Sequence, residues 1–273
     1  MDVNGVIQEA YDTPSLFESV TYNHRQFLKM LRQASEDPLV DGIIIRVNSP
    51  GGGVVESAEI HDLIVEIQED YQKPIYISMG SLAASGGYYI AAPADKIFAN
   101  EATITGSLGV IMQTINISEL AENFGVRSET IKSGPYKDIM SEFREMTDAE
   151  RNILQSMIDD SYEAFVDVIA NGRKMDRSQV KKIADGRIYS GKQAFELGLI
   201  DGLGNLDHVI DVLRTDIGRG DIDVIKYEEP FSFPGFLTMT TQNLLLKQQD
   251  PLGLKQLINY SNSPSLMYLY NRE

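Results

Sequence analysis

Cysteine is absent from this 273-residue chain, which excludes disulfides, iron–sulfur clusters and thiolate chemistry. Basic charge is short: 24 Lys and Arg stand against 40 Asp and Glu, a formal net charge of −16. Binding a phosphate backbone needs a basic face, so no nucleic-acid partner is expected. No apolar run reaches the roughly 18–20 residues that cross a bilayer, and no signal peptide opens the chain. Histidine, the usual general base, occurs only three times. His24, His61 and His208 are each expected to be exposed or capping, which leaves a Ser-His-Asp triad poorly supported. No internal repeat of roughly 20–50 residues is evident.

What is present is an ordinary globular composition, 42% hydrophobic and 23% charged, long enough for a full core. Residues 3–8 read as a strand already under way, so a segment upstream of this sequence is expected. A helix over 23–35 follows, then the β-branched run Gly42 to Val47, short enough for a buried parallel strand. That run ends in Asn48-Ser49-Pro50-Gly51-Gly52-Gly53, a glycine loop before a helix with Ile60, Leu63, Ile64, Ile67 and Tyr71 on one stripe. The glycines have neither G-x-G-x-x-G spacing nor a phosphate-loop lysine, which argues against nucleotide binding. A second apolar strand, Pro74 to Met79, leads to Ala83-Ala84-Ser85-Gly86-Gly87-Tyr88-Tyr89 and a helix start. Ser85 thus falls on a strand-to-helix turn flanked by small residues, half of a nucleophile elbow. The alternation describes α/β architecture with right-handed βαβ units and both glycine turns on one sheet edge.

Further along, strands are expected at 97–99, 127–131 and 222–225, and helices at 118–124, 176–184 and 206–216. A long helix opens on the capping box Thr147/Glu150, with Leu154, Met157, Ile158, Phe165, Val168 and Ile169 as its buried face and Gly172 as its left-handed cap. One domain over 1–228 with a C-terminal extension over 229–273 is expected. The extension, with an amphipathic stretch at 237–246 and a Tyr/Leu/Met-rich end at 265–270, reads as a mobile tail packing a helix on its own core. Packing on a neighbour, membrane contact and occupation of a substrate groove remain the other options.

A serine nucleophile needs a base and oxyanion donors. With histidine unsupported, lysine is the remaining candidate; it must be neutral, which calls for burial. Lys132 and Lys137 bracket the rigid Gly134-Pro135 turn.

Four ordered motifs carry a resemblance: the Asn48–Gly53 loop, Ala83–Tyr89, Thr105-Gly106-Ser107-Leu108-Gly109-Val110, and Lys132-Ser133-Gly134-Pro135-Tyr136-Lys137. Together they resemble the bacterial signal peptide peptidase SppA family of the short, single-repeat type, from about Val3 to about Ile225. The resemblance implies a ClpP/crotonase-like fold and a serine endopeptidase cleaving released signal peptides after small or apolar residues, without cofactor or metal. It assigns Ser85 as nucleophile, Lys137 as general base and Ser107 as the residue orienting the lysine. It places the oxyanion hole at Gly86 and the Gly51-Gly52 pair. It further implies a homo-oligomeric ring with the dyad shared between subunits, and an N-terminal anchor in the bacterial cell membrane with the catalytic domain on the extracytoplasmic side. A crotonase-type acyl-CoA enzyme and a non-catalytic scaffold in membrane quality control are the competing readings.

Overall fold

The computed structural model describes residues 1–9, 22–220, 222–227 and 266–270. Its centre is a seven-stranded sheet. Strands β1 (Asp2–Asn4), β2 (Ile43–Ser49), β4 (Ile75–Ala84), β5 (Lys96–Ala99) and β8 (Gly202–Leu203) run parallel in the order β1-β2-β4-β5-β8. Buried on both faces, β4 is apolar or small almost throughout, as a central parallel strand must be. Its lower half pairs with β5 and its upper half with β6 (Ile104–Gly106), to which β7 (Ile188–Ser190) is antiparallel. The changeover falls at Gly80, where a Cβ would lie 2.8 Å from Asn48 Oδ1. Asn48 in turn accepts the Leu82 amide, and Thr103 Oγ1 donates to the Gly80 carbonyl. The sequence therefore builds one strand that serves two neighbours at two heights.

Helices cover the sheet: α1 (His24–Glu36), α2 (Val54–Glu66), the four-residue α3 (Gly86–Tyr89), α4 (Ser118–Asn123), α5 (Asp148–Arg173), α6 (Arg177–Ile183), α7 (Gly191–Glu196) and α8 (Leu206–Ile217). Asn23 caps α1 by accepting the Gln26 amide. The main core joins Ile45, Val47, Ile60, Ile64, Ile77, Tyr88, Phe165 and Ile169. At roughly 1.5–3 kcal/mol for each large apolar side chain fully buried, this core supplies the main drive to fold.

Several expectations are corrected. Residues 127–131 form no strand; they are exposed and pair with no strand among the described residues. Residues 222–225 also form none: all four line an apolar cavity of about 540 Å³ with Met1, Ile44 and Leu213. Gly172 is inside α5, whose left-handed cap is Lys174; glycine is needed at 172 because a Cβ would meet the Ala92 carbonyl oxygen at 2.1 Å. The capping box at Thr147 and Glu150 forms, but only the second half of α5 buries its apolar residues. Met157 stays 43% exposed and Leu154 and Ile158 are half-buried, because the first half of α5 projects beyond the core. His24 is buried, held by the Tyr22 hydroxyl at 2.7 Å and Glu59 at 2.6 Å.

The glycine loop is a short strand, β3 (Gly51–Gly53), pairing antiparallel with β9 (Met267–Leu269) from the C-terminal end. The tail expected to be mobile is, over 266–270, an inserted strand; the stretch 237–246 lies outside the described residues.

Candidate active site

Strand β4 ends at Ala84, and the chain turns into α3 through Ser85, which has φ +54° and ψ −116°. A non-glycine residue there costs on the order of 1–3 kcal/mol, so the surroundings must impose it. They do: the Ser85 amide donates to the Gly106 carbonyl at 2.8 Å, and the Ser85 carbonyl accepts the Tyr88 and Tyr89 amides at 2.9 Å. The side chain is buried, and its Oγ has no hydrogen-bond partner among the described residues. A buried, strained, unpartnered hydroxyl is expensive for stability alone.

The two glycines after Ser85 follow from crowding. A Cβ on Gly86 would lie 2.7 Å from Ser57 Oγ and 3.0 Å from the Gly52 nitrogen, and one on Gly87 would lie 2.9 Å from the Ser49 carbonyl oxygen. On the opposite wall, β3 is gripped from both edges. The Gly51 carbonyl and Gly53 amide bond to Ile7, each at 2.8 Å. At the ends of the β3–β9 ladder, the Val54 amide donates to the Leu266 carbonyl and the Tyr270 amide to the Pro50 carbonyl. Antiparallel alternation therefore makes Gly52 and Tyr268 the hydrogen-bonded pair between them, with the Gly52 N–H aimed at the Tyr268 carbonyl. The Gly51 amide is held by Ser49 Oγ at 3.0 Å. Of the expected glycine pair, Gly52 is thus the one whose donor faces the inserted strand. Gly51 has φ +101°, and a Cβ on it would collide both with the Tyr268 carbonyl oxygen, at 2.0 Å, and with the Gly86 nitrogen, at 2.6 Å. That carbonyl therefore sits against Gly52 and Gly86 beside the Ser85 turn.

The inserted strand is held on its other edge too: Met267 exchanges amide–carbonyl bonds with Ile111 at 3.0 and 3.1 Å. Tyr268 enters a closed pocket. Its ring stacks on Tyr89, with centroids 4.8 Å apart, and lies 4.7 Å from Phe165, while its hydroxyl donates to the Ser161 carbonyl at 2.9 Å. Burial, reinforced by the charge of Asp62, pushes the Tyr89 phenol up to about 12, so this wall stays neutral. Leu269, on the opposite face of the strand, lines a second cavity of about 520 Å³ with Ser107, Ile158 and Tyr162.

Ser107 follows Gly106, the residue that holds the Ser85 amide; it has φ +51° and donates its own amide to the Arg187 carbonyl at 2.7 Å. Ser85, Ser107, Gly51, Gly52 and Gly86 are thus gathered at one sheet edge. Among the described residues no hydrogen bond or ion pair joins Lys137 to them. It lies in the irregular segment 132–146, exposed, its amide bonded to the Gly134 carbonyl at 3.3 Å and its side chain without a hydrogen bond or ion pair among the described residues. Sequence reasoning missed Tyr89, Ser161 and the role of Phe165. The first is the last residue of the serine motif, where its ring carried no role, and Phe165 reads as ordinary core until the occupant of its pocket is seen.

The arrangement can hold an extended peptide between β3 and Ile111, one carbonyl facing the Gly52 amide with Gly86 and the Ser85 turn beside it. Comparison with known proteins agrees. The family model described as peptidase family S49 matches residues 67–218. An Enterococcus faecium protein named as a signal peptide peptidase SppA is 41% identical over 281 residues, covering 99% of this chain and 80% of its own length. A protein named as a protease from Synechocystis is 47% identical over 207 residues, 74% of each chain. Protease 4 of Salmonella typhi is 33% identical over 207 residues, 76% of this chain and 32% of its own.

Proposed function

The chain belongs to peptidase family S49, and on that premise we propose that this serine protease hydrolyses extended peptides, released signal peptides among them, with Ser85 as nucleophile and Lys137 as general base. The observation that carries the reading is the strand Met267–Leu269, seated between β3 and Ile111 with the Tyr268 carbonyl against Gly52 and Gly86. A substrate strand in the same register presents its carbonyl to Ser85 Oγ. Lys137 takes the hydroxyl proton as Oγ attacks, and the negative charge that develops on the carbonyl oxygen is held by the Gly52 and Gly86 amides. Collapse of the tetrahedral species expels the amine, which receives the proton from Lys137, and leaves an acyl group on Ser85. A water deprotonated by Lys137 then releases the acid. The residue before the scissile bond fills the Tyr89/Phe165 pocket, so the preference is for large, ring-bearing residues, a departure from the small or apolar residues that the resemblance implies, with tyrosine favoured by the Ser161 carbonyl.

The dyad is completed between copies of the chain. Helix α4 has no buried residue; Leu120, Phe124, Val126 and Ile131 around it are more than half exposed, and Ile153 and Met157 face outward on the projecting part of α5. An apolar arm of this kind calls for a partner surface, and a neighbouring copy in a ring would cover it, bury Lys137 and exclude water. The proposed location is the bacterial cell membrane, where released signal peptides lie, with an N-terminal anchor and the catalytic domain on the extracytoplasmic side. None of the described helices is itself long and apolar enough to cross a bilayer. The test is a mixing experiment. Ser85→Ala and Lys137→Ala should each abolish peptide hydrolysis, and co-assembly of the two inactive proteins should restore about a quarter of the activity, the random share of intact pairs in a cyclic assembly. Full activity in either single variant would overturn the dyad; no recovery on mixing would overturn its sharing.

A further inference from the structure

The segment that carries Lys137 has neither helix nor strand between residues 132 and 146, so side chains must fix its course. One side chain does most of this. Arg144 Nε donates to Asp138 Oδ2 at 3.0 Å, and its Nη2 to Asp138 Oδ1 at 2.8 Å and to the Asp138 carbonyl at 3.0 Å. Nη1 donates to Glu150 Oε2 at 2.8 Å and to the Glu145 carbonyl at 3.0 Å, while Nη2 also reaches Glu150 Oε1. Glu150 is the buried member of the α5 capping box, its Oε2 accepting both the amide and hydroxyl of Thr147 at 2.9 Å. Lys132 adds a bond to Asp138 at 2.6 Å and one to the Pro135 carbonyl at 3.1 Å. The planar guanidinium thus uses its fixed fork to tie the residue after Lys137 to the first turn of α5. Farther along the same helix stand Ser161 and Phe165, which hold the tyrosine in the groove.

We propose that Arg144 is the positioning residue for the base: it locks the Lys137 turn onto α5, so that the helix lining one chain's own pocket also sets where that chain's amine is presented to the neighbouring copy. The inference rests on the reading of Lys137 as general base. Arg144 touches neither substrate nor reacting atoms; it acts through Asp138 and Glu150.

The experiment uses the full chain and a fluorogenic peptide with tyrosine before the scissile bond. For Arg144→Gln, Arg144→Lys, Asp138→Asn and Lys137→Ala, kcat, KM, Tm, assembly size and the rate of Ser85 labelling by a fluorophosphonate are measured. A displaced base should cost about 100-fold in kcat, with KM within twofold and assembly size unchanged. Arg144→Lys, which can reach one carboxylate but not span both, should recover part of the loss. Asp138→Asn leaves the Arg144–Glu150 pair in place, so it reports on the turn even where Arg144→Gln fails to fold. Folded Arg144→Gln and Asp138→Asn proteins with wild-type kcat, a loss confined to KM, or a loss that tracks a broken assembly would each overturn the inference. Activity in Lys137→Ala would overturn the base assignment itself, whereas an inactive Lys137→Ala beside fully active Arg144→Gln and Asp138→Asn would overturn only the positioning role.

Discussion

At Ser85, backbone strain and a buried hydroxyl with no partner among the described residues meet in one residue. Glycine would relax the positive φ at this turn, while the Gly106, Tyr88 and Tyr89 backbone bonds need no side chain. Ser85→Gly should therefore melt no lower than the wild type while losing all hydrolysis, as expected where strain serves function; calorimetry beside a peptide assay checks both halves. Glu150 shows a second residue-level effect. Hydrogen bonds from Arg144, then from the Thr147 amide, hold its carboxyl down at about 2, below the usual carboxylate range. A depressed carboxylate stabilises the fold fully above its unfolded value of about 4.3, and that contribution is lost as pH falls toward the folded value. Protection of the amides over 138–150, taken relative to the intrinsic exchange rate at each pH, should fall between roughly pH 4.5 and 2, with the central strands still protected; unchanged protection there would contradict the assignment. The serine turn was legible in the sequence because glycine–glycine after serine is a steric statement. His24 was not: its burial depends on Tyr22 and Glu59, and the contact with Glu59 is made by a different helix.

Among the elements, β9 is the one that changes how the groove is understood. A strand tethered to its own site competes at an effective concentration set by its linker, commonly millimolar for short flexible ones. Removing residues 266–273 should lower the KM for added peptide several-fold at nearly constant kcat. A synthetic Leu-Met-Tyr-Leu-Tyr peptide should restore the inhibition competitively; an unchanged KM would show that the tail does not compete. Neither edge that receives β9 could be read from the 265–270 segment, because β3 and Ile111 lie more than 150 positions away. Helix α5 was half legible. Its capping box is local chemistry and forms as expected, but a helical apolar stripe does not say whose surface it will meet. Phe165, Val168 and Ile169 meet this chain's own core, whereas Met157 meets none of it. Residues 127–131 have strand-like composition and pair with no strand among the described residues, and pairing is a property of neighbours.

For the whole molecule, the mainly parallel α/β architecture was readable from alternating strand and helix patterns. The proposed pairing of the Ser85 turn with the arm bearing Lys137 was not readable from those patterns, because no hydrogen bond or ion pair among the described residues makes it. Charging the arm should separate the copies: Phe124→Asp with Ile131→Asp is expected to reduce the assembly to single chains and abolish hydrolysis, with the central sheet intact by circular dichroism. Sedimentation beside the activity assay checks this, and a fully active single chain would disprove the shared site. The seating of β9 in the groove of its own chain has a further consequence. Self-occlusion by a covalently attached segment is a first-order event and is indifferent to dilution, whereas activity that depends on neighbours fades as copies part. A single dilution series will therefore separate the two controls: the fraction of sites blocked by the tail stays level while turnover per chain falls away.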